Sequence, residues 1–159
     1  MEFFEKITDI TEDVLAGSRL VIFDLDNTLV VPETIETRQE IVTWLSGVKK
    51  NRECLIVSNS RSAMQRKERV EQIFGCPLFY NQTRKPSRRL FQEISGRYEI
   101  PAADIVVIGD RLLTDVFFAK MNGARAVLVA PLALEPRFFL KIVVSFEKLL
   151  LYLLKFTSR

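Results

Sequence analysis

Two acidic clusters and one lysine are the residues of this sequence best suited to chemistry. Asp24 and Asp26 lie in the run FDLDNT, Asp110 and Asp115 lie in GDRLLTD, and Lys85 lies in RKP. Phosphoryl transfer needs a carboxylate nucleophile, a nearby acid, a hard cation and positive charge around the transferred oxygens. These side chains can supply or bind each of these, so the pattern indicates phosphoryl-transfer chemistry.

Each chemical role has a candidate residue. Asp24 would attack phosphorus and hold an aspartyl-phosphate, and Asp26 would protonate the leaving alkoxide and then activate water. Mg²⁺ prefers an octahedral oxygen shell, which the side chains of Asp24 and Asp110 and a backbone carbonyl near Asp26 can provide, while Asp115 would orient that shell. We therefore predict a Mg²⁺ site at Asp24, Asp26, Asp110 and Asp115. The predicted catalytic residues are Asp24, Asp26 and Lys85.

The transferred phosphoryl group also needs hydrogen-bond donors. Ser58 and Asn59 follow the apolar run LIV in LIVSNS, and Lys85 precedes a predicted helix. Taken singly, each polar residue has an ordinary explanation as a turn, a helix cap or a solvated charge. Their joint placement beside apolar runs favours a site, and we predict phosphate binding by Ser58, Asn59 and Lys85. Histidine is absent from the sequence, so zinc fits this ligand set poorly.

These residues must be positioned by an alternation of strands and helices. An amphipathic opening segment, 3–15, comes first, and short β-rich apolar runs then alternate with segments of helical periodicity. The predicted strands are 20–23, 54–57, 78–80, 105–108 and 126–129. The predicted helices are 34–50, 62–74, 87–98 and 114–121. Such alternation predicts an α/β fold with a mostly parallel five-stranded sheet and helices on both faces. Ligands bind such sheets at the carboxyl ends of their strands, where the polar residues lie.

The length of the chain predicts a single domain, 1–159, with little room for a cap over the site. About 30 residues separate Asp26 from Ser58 and fewer than 30 separate Ser58 from Lys85, and the predicted helices and strands already occupy these connections. Segment 135–156 is predicted to form a C-terminal amphipathic helix, because charged residues interrupt its apolar run too often for a membrane span. The start MEFFEKITDI lacks a basic region followed by an apolar run, so we expect a protein that is not secreted.

Four motifs of the sequence resemble those of the haloacid dehalogenase (HAD) superfamily of phosphatases. DLDNT resembles the D-x-D-x-T signature, SN the second motif, Lys85 the third and GDRLLTD the fourth. The resemblance covers about residues 20–130 and implies a Rossmann-like HAD core, Mg²⁺ and the roles assigned above. The segment Val31-Pro32-Glu33, which follows the first motif, matches no pattern that we can place.

A narrower resemblance extends to the YqeG-like and mitochondrial-type phosphatidylglycerophosphate (PGP) phosphatases of HAD subfamily IIIA. It rests on ITDITEDVLAGSRLVIFDLDNTLV, the SNS run, the K-P pair and GDRLLTDV followed by N-G-A. The branch implies removal of the terminal phosphate of PGP to give phosphatidylglycerol, the precursor of cardiolipin. An open site suits a phosphate that is presented on a large body such as a bilayer.

The net charge of +3 favours an anionic partner and lies far from that of a nucleic-acid-binding tail. We predict headgroup contacts by Arg61, Arg84 and Arg111, and membrane contact by the C-terminal helix. The expected location is peripheral, on the cytoplasmic or mitochondrial matrix side. A solvated helix face would equally explain the arginines, and packing against the sheet or a second subunit would explain the tail.

Two other functions stay open from the sequence. One is a capless phosphatase that acts on a phosphoprotein, a nucleic-acid end or another phosphomonoester. The other is a non-catalytic membrane-binding or interaction domain that keeps a phosphate site. The non-catalytic domain predicts no turnover with any substrate. A site that has lost its activity has no physical need for so many like charges in one place, which argues against this function.

Overall fold

A six-stranded parallel sheet organises the protein. The structure is a computed structural model and describes residues 1–80 and 83–134. The strands stand in the order β1-β6-β5-β2-β3-β4, and every neighbouring pair is parallel. The strands are β1 (Glu2–Phe4), β2 (Leu20–Phe23), β3 (Glu53–Val57), β4 (Leu78–Phe79), β5 (Ile105–Gly109) and β6 (Arg125–Val129). The predicted α/β fold with a parallel sheet is therefore confirmed.

The central strands are continuous apolar runs because both of their faces are covered. All four residues of β2 are buried, and separate hydrophobic clusters fill the space on the two sides of the sheet. The helices that cover the sheet are α1 (Glu12–Leu15), α2 (Gln39–Val48), α3 (Ala63–Phe74), α4 (Arg88–Tyr98) and α5 (Phe117–Met121). Helix α2 buries Ile41, Leu45 and Val48, which share one face at helical spacing. Ser87 begins α4 by accepting a hydrogen bond from the Leu90 amide at 3.3 Å.

The register places the carboxyl ends of three strands at one level. Phe23, the last residue of β2, pairs with Ile56 of β3 on one side and with Ile108 of β5 on the other. The chain reaches β3 and β4 on one side of β2 and then crosses to β5 and β6 on the other. The polar residues that follow β2, β3 and β5 must therefore meet at this switch point.

The number of strands was predicted wrongly as five. Glu2–Phe4, predicted as part of an amphipathic opening segment, forms β1 and pairs with Val127 to Val129 of β6. A 3₁₀ turn, Ile7–Asp9, and the short helix α1 follow it. A pairing between the two ends of the described chain leaves no local signal in a three-residue run.

Two helix boundaries also differ from the prediction. Helix α2 begins at Gln39 rather than near 34, because Thr34 donates its hydroxyl to the Val31 carbonyl and Thr37 donates to the Leu29 carbonyl. These bonds fold the segment into a turn before the helix begins. The predicted helix 114–121 is a π-helical turn, Leu112–Val116, followed by α5. A π-helical turn is frequent at functional sites.

The described connections between the strands hold helices and turns, with no inserted domain. The predicted C-terminal helix 135–156 lies outside the described residues, and the single-domain assignment of 1–159 stays a prediction. Within 1–80 and 83–134, no helix is long and apolar enough to cross a membrane.

Candidate active site

A buried lysine joins two carboxylates at the carboxyl ends of the strands. The Nζ atom of Lys85 lies 2.6 Å from Oδ1 of Asp24 and 2.6 Å from Oδ1 of Asp115. Asp24 follows β2 directly, and its amide donates to the Ile108 carbonyl of β5 at 2.9 Å. Since Lys85 is only 4% exposed, its charge is shielded from solvent and acts mainly on these two acids.

Asp110 completes the cluster and fits a metal ion. Carboxylate oxygens of Asp24, Asp110 and Asp115 lie within 4.8 Å of one another, and all three residues are buried. The buried Oδ1 atom of Asp110 accepts no hydrogen bond from any residue that the structure describes, which is costly unless a cation or water binds it. An all-oxygen ligand set suits a hard divalent cation. Asp115 accepts hydrogen bonds on both carboxylate oxygens, from Lys85 and from the Arg111 amide, so it is placed to orient the cluster.

Burial sets the proton affinities of these groups. It raises the pKa of Asp24 to about 6 against the opposing effect of Lys85, and Asp115 and Asp26 add to the rise. Burial also raises the pKa of Asp110 to about 7, with contributions from Asp24 and Asp115. Burial alone would lower the pKa of Lys85, but Asp115 and Asp24 outweigh it and raise that pKa. A cation among the acids would favour their ionised forms.

A glycine allows Asp115 to approach the end of β5. A Cβ atom built on Gly109 would overlap the carboxylate of Asp115. Only a residue without a side chain therefore permits Asp115 to lie under Lys85. The glycine in GDRLLTD is thus part of the arrangement that holds the lysine.

The side chain of Asn59 forms two hydrogen bonds with the backbone of Lys85. Its side-chain Nδ2 donates to the Lys85 carbonyl at 2.7 Å, and its Oδ1 accepts from the Lys85 amide at 2.8 Å. The side-chain amide is therefore engaged with backbone. Asn59 was predicted to bind phosphate, which stays a prediction, and the observed contacts give it a role in positioning Lys85.

Asp26 points to a different partner. Its carboxylate lies outside the cluster of three acids and forms a two-point ion pair with Arg66, with Nη1 to Oδ1 at 2.9 Å and Nη2 to Oδ2 at 3.1 Å. Any contribution of Asp26 to the metal would come through its backbone carbonyl, which stays a prediction. Ser58 lies nearby, with its hydroxyl 3.5 Å from Oδ2 of Asp26.

Arg66 was not among the site residues predicted from the sequence. The buried positions of α3 are Ala63, Arg66, Val70 and Phe74, which follow the period of one inward helix face. A single arginine among small and apolar residues at that period was the available signal, because a charged residue on a buried face requires a partner.

The site opens as a cleft of about 560 Å³. Asp24, Asp26, Ser58 and Asn59 line it, and Lys85, Asp110 and Asp115 are buried behind it. Pro32 and Glu33 of the unmatched segment also lie on its wall. The three arginines predicted to contact headgroups, Arg61, Arg84 and Arg111, are exposed and line the same cleft. The structure thus brings all of the predicted site residues to one place, while their roles stay predictions.

Comparison with known proteins decides the family. A family model described as mitochondrial PGP phosphatase matches residues 3–131. The chain belongs to this family. The Bacillus subtilis protein named "Probable phosphatase YqeG" is 32% identical to this chain over 157 residues, which cover 97% of this chain and 90% of that protein. Phosphatidylglycerophosphate phosphatase 1, chloroplastic, of Chlamydomonas reinhardtii is 29% identical over 125 residues, covering 74% of this chain but only 46% of that protein.

Solved structures show the same fold. The crystal structure of the HAD-hydrolase YfnB from Bacillus subtilis, bound to magnesium, has a TM-score of 0.54 at 16% identity. The superposition covers 70% of this chain and 88% of the YfnB chain. The resemblance to HAD phosphatases is confirmed, and this member of the PGP phosphatase family is a phosphoric monoester hydrolase.

Proposed function

We propose that the enzyme is a Mg²⁺-dependent phosphatase that converts phosphatidylglycerophosphate to phosphatidylglycerol through a phosphorylated Asp24. The observation that carries this proposal is the buried cluster of Asp24, Lys85, Asp110 and Asp115 at the back of an open cleft. The family and the algal relative, which is named for this substrate, support the lipid. Magnesium is supported by the oxygen ligands and by the magnesium-bound YfnB structure.

Two in-line displacements would complete the reaction. In the first, a carboxylate oxygen of Asp24 bonds to phosphorus, the bond from phosphorus to the glycerol oxygen breaks, and Asp26 gives that oxygen a proton. In the second, water attacks phosphorus, Asp26 takes a proton from it, and the bond to Asp24 breaks to release phosphate. Lys85 would offset the charge on the phosphoryl oxygens, and Ser58 would donate to them.

Asp24 and Asp110 would hold the cation, with Asp115 orienting them through Lys85 and the Arg111 amide. When bound, Mg²⁺ would neutralise negative charge on these acids and on the phosphoryl oxygens. With a pKa of about 6, the Asp24 carboxyl is already mostly ionised at neutral pH, and the cation would favour the ionised form that attacks phosphorus still further.

The surface around the cleft suits an anionic bilayer. Six large apolar side chains are exposed among the described residues, and four of them follow the carboxyl ends of β2, β3 and β5. These four are Val31, Met64, Leu113 and Phe117, which are 39%, 50%, 63% and 52% exposed. These apolar side chains would enter the membrane interface, while the arginines of the cleft would contact lipid phosphates. Together they would bring the headgroup to Asp24. We propose peripheral membrane association on this basis, on the cytoplasmic or matrix side.

The test compares phosphate release from different substrates. PGP in mixed micelles with Mg²⁺ should be hydrolysed far faster than nucleotides, sugar phosphates, a phosphopeptide or a 5′-phosphorylated oligonucleotide at equal concentration. A chelator should stop the release, and added Mg²⁺ should restore it. Equal or reversed rates would instead favour the alternative, a capless phosphatase that acts on a phosphoprotein or a nucleic-acid end. Absence of turnover with every substrate would favour a binding domain.

A further inference from the structure

Arg66 is a buried charge with a specific set of contacts. Its side chain is 9% exposed, and its two terminal nitrogens contact the two carboxylate oxygens of Asp26. Nη1 also donates to the Thr34 carbonyl at 2.7 Å, and Nη2 donates to the Ser62 hydroxyl at 3.1 Å. A guanidinium is planar and presents its donors in a fixed fork, so a two-point contact fixes the orientation of the carboxylate as well as its position.

The two oxygens of Asp26 differ in how fully they are occupied. Oδ1 accepts from Arg66 at 2.9 Å and from the Glu33 amide at 2.8 Å, which fills its two acceptor sites. Oδ2 accepts from Arg66 at 3.1 Å, and its one other contact with a described residue is a long one of 3.5 Å to the Ser58 hydroxyl. Asp26 lines the cleft. A substrate oxygen can therefore reach Oδ2 by displacing one weak contact, whereas Oδ1 is closed.

We propose that Arg66 is the positioning residue for proton transfer in this enzyme. By holding Oδ1 against the cleft wall, it leaves Oδ2 as the atom that gives a proton to the leaving glycerol oxygen and then takes one from water. Arg66 acts through Asp26, since it is not among the residues that line the cleft. This inference rests on the proposed function only in requiring that Asp26 serve as acid and base.

The same arginine gives a role to the segment after the first motif. Glu33 has a positive φ of 61°, and its amide donates to Asp26, while the adjacent Thr34 carbonyl accepts from Arg66. The amide of Val31 donates to the Glu36 carbonyl at 2.8 Å and closes the turn. Arg66 thus fastens both the carboxylate of Asp26 and the turn that supports it, which explains why this turn lies on the wall of the cleft.

The experiment compares two leaving groups in Arg66→Gln and Arg66→Lys. PGP loses an alkoxide that needs a proton, whereas p-nitrophenyl phosphate loses a phenolate that departs without one. If Arg66 positions the acid, Arg66→Gln should lower kcat/KM for PGP about 100-fold but for p-nitrophenyl phosphate less than about 10-fold. Arg66→Lys should recover little, because an ammonium cannot hold both oxygens. If Arg66→Gln does not fold, the lysine variant carries the comparison.

Arg52→Gln is the matched control. The Arg52 side chain is 8% exposed and pairs with Glu12 at 2.6 Å near the amino ends of the strands. Its loss should lower the melting temperature without changing the preference between the two substrates. In an Asp26→Asn background, Arg66→Gln should cause little additional loss of kcat/KM for PGP, since the group through which it acts is gone.

The outcomes separate this inference from the proposed function. Equal losses on both substrates, or a full further loss in the Asp26→Asn background, would overturn the positioning role while the enzyme remains a phosphatase. If the wild type hydrolyses p-nitrophenyl phosphate but not PGP, the lipid substrate is wrong, and glycerol 3-phosphate replaces PGP as the alkyl ester in the same comparison. If the wild type hydrolyses none of them, both proposals fail.

Discussion

Charged side chains have different surroundings at the two ends of the sheet. At the amino ends of the strands, Arg52 pairs with Glu12 and also donates to the Leu15 carbonyl and the Ser18 hydroxyl. Arg125 donates there to the carbonyls of Val14 and Ala16. At the carboxyl ends, the buried acids Asp24, Asp110 and Asp115 lie together, and Lys85 pairs with two of them, Asp24 and Asp115. The four buried side-chain oxygens without a partner among the described residues all follow β2 or β5, in Asn27, Thr28, Asp110 and Thr114.

This contrast separates what stabilises the fold from what the reaction needs. Charges at the amino ends are satisfied within the protein and connect elements that are distant in sequence. At the carboxyl ends three acids face one buried lysine, and Oδ1 of Asp110 accepts no hydrogen bond from the described residues, so this cluster is available to a cation. Sites of this kind usually lower the stability of the folded state, because preorganised like charges repel one another before ligands bind.

The largest expected effect is on catalysis. Asp24→Asn should lower kcat by on the order of 10⁴-fold or more, because an amide cannot attack phosphorus. The fold should persist, since one of the repelling charges has been removed. Phosphate release and circular dichroism would measure the two properties. Retained activity in a folded variant would refute Asp24 as the nucleophile.

The next effect is on stability at the carboxyl ends. Lys85→Met leaves Asp24 and Asp115 without their cation and should lower the free energy of unfolding by about 3–5 kcal/mol, with loss of activity. Arg52→Met, at the amino ends, should also destabilise the protein but leave kcat of the folded enzyme unchanged. Urea denaturation and steady-state kinetics check the pair. A stable Lys85→Met variant would contradict the buried ion network.

A smaller effect should appear in the dependence of stability on pH. The pKa of Asp24 is raised to about 6 and that of Asp110 to about 7, so the folded state binds more protons than the unfolded state at acidic pH. The stability from these groups is present in full below about pH 4, where model carboxyls titrate, and is lost as pH rises through 6 and 7. The metal-free protein should therefore melt at a lower temperature at pH 8 than at pH 5.5.

Mg²⁺ should reverse this loss. Saturating metal should raise the stability at pH 8 by about 1–3 kcal/mol and raise it less at pH 5.5, because protons compete for the same carboxylates. Asp110→Asn should flatten the pH dependence and weaken the response to Mg²⁺. Thermal melts with and without metal at both pH values would measure this. A Mg²⁺ response that is equal at the two values would argue against Asp24 and Asp110 as ligands.

The smallest effect concerns the surface near the carboxyl ends. The double variant Leu113→Ser, Phe117→Ser should weaken binding to phosphatidylglycerol-containing vesicles about 10-fold, which is about 1.4 kcal/mol. This is less than the roughly 1.5–3 kcal/mol of one fully buried apolar side chain, because the two side chains would enter the interface only in part. Hydrolysis of p-nitrophenyl phosphate should be unchanged. Lys50→Glu, near the amino ends, serves as the control and should leave vesicle binding nearly unaltered. Unchanged binding of the double variant in sedimentation assays would remove these side chains from the membrane contact.

Much of the fold could be predicted because the strands are apolar runs that end at polar residues. Buried parallel strands need apolar residues on both faces, which makes β2, β3 and β5 visible in the sequence. Their aligned ends made it possible to predict that Asp24, Ser58 and Asp110 would meet. The first strand could not be predicted, because within residues 1–80 and 83–134 it pairs with β6 alone, which is far away along the chain.

Contacts between side chains and backbone were the part that the sequence did not reveal. The start of α2 depends on Thr34 and on its contact with Arg66, and neither is visible from helical periodicity. Asn59 was predicted as a phosphate ligand from its place in SNS, but the structure shows its amide bonded to the backbone of Lys85. Motif position indicates that a residue belongs to the site, whereas its partner depends on geometry that forms only on folding.

The bond pair between Asn59 and Lys85 has a consequence for how such chains can vary. A side-chain amide carries the same donor and acceptor as a peptide group. The Asn59 side chain therefore makes the pair of hydrogen bonds with the Lys85 backbone that the backbone of a neighbouring strand would otherwise make. The intervening stretch, 60–84, is therefore tethered at both of its ends, and its own length does not determine where the lysine stands. Extra residues inserted there would enlarge the molecule on that side while leaving the distance between lysine and nucleophile intact.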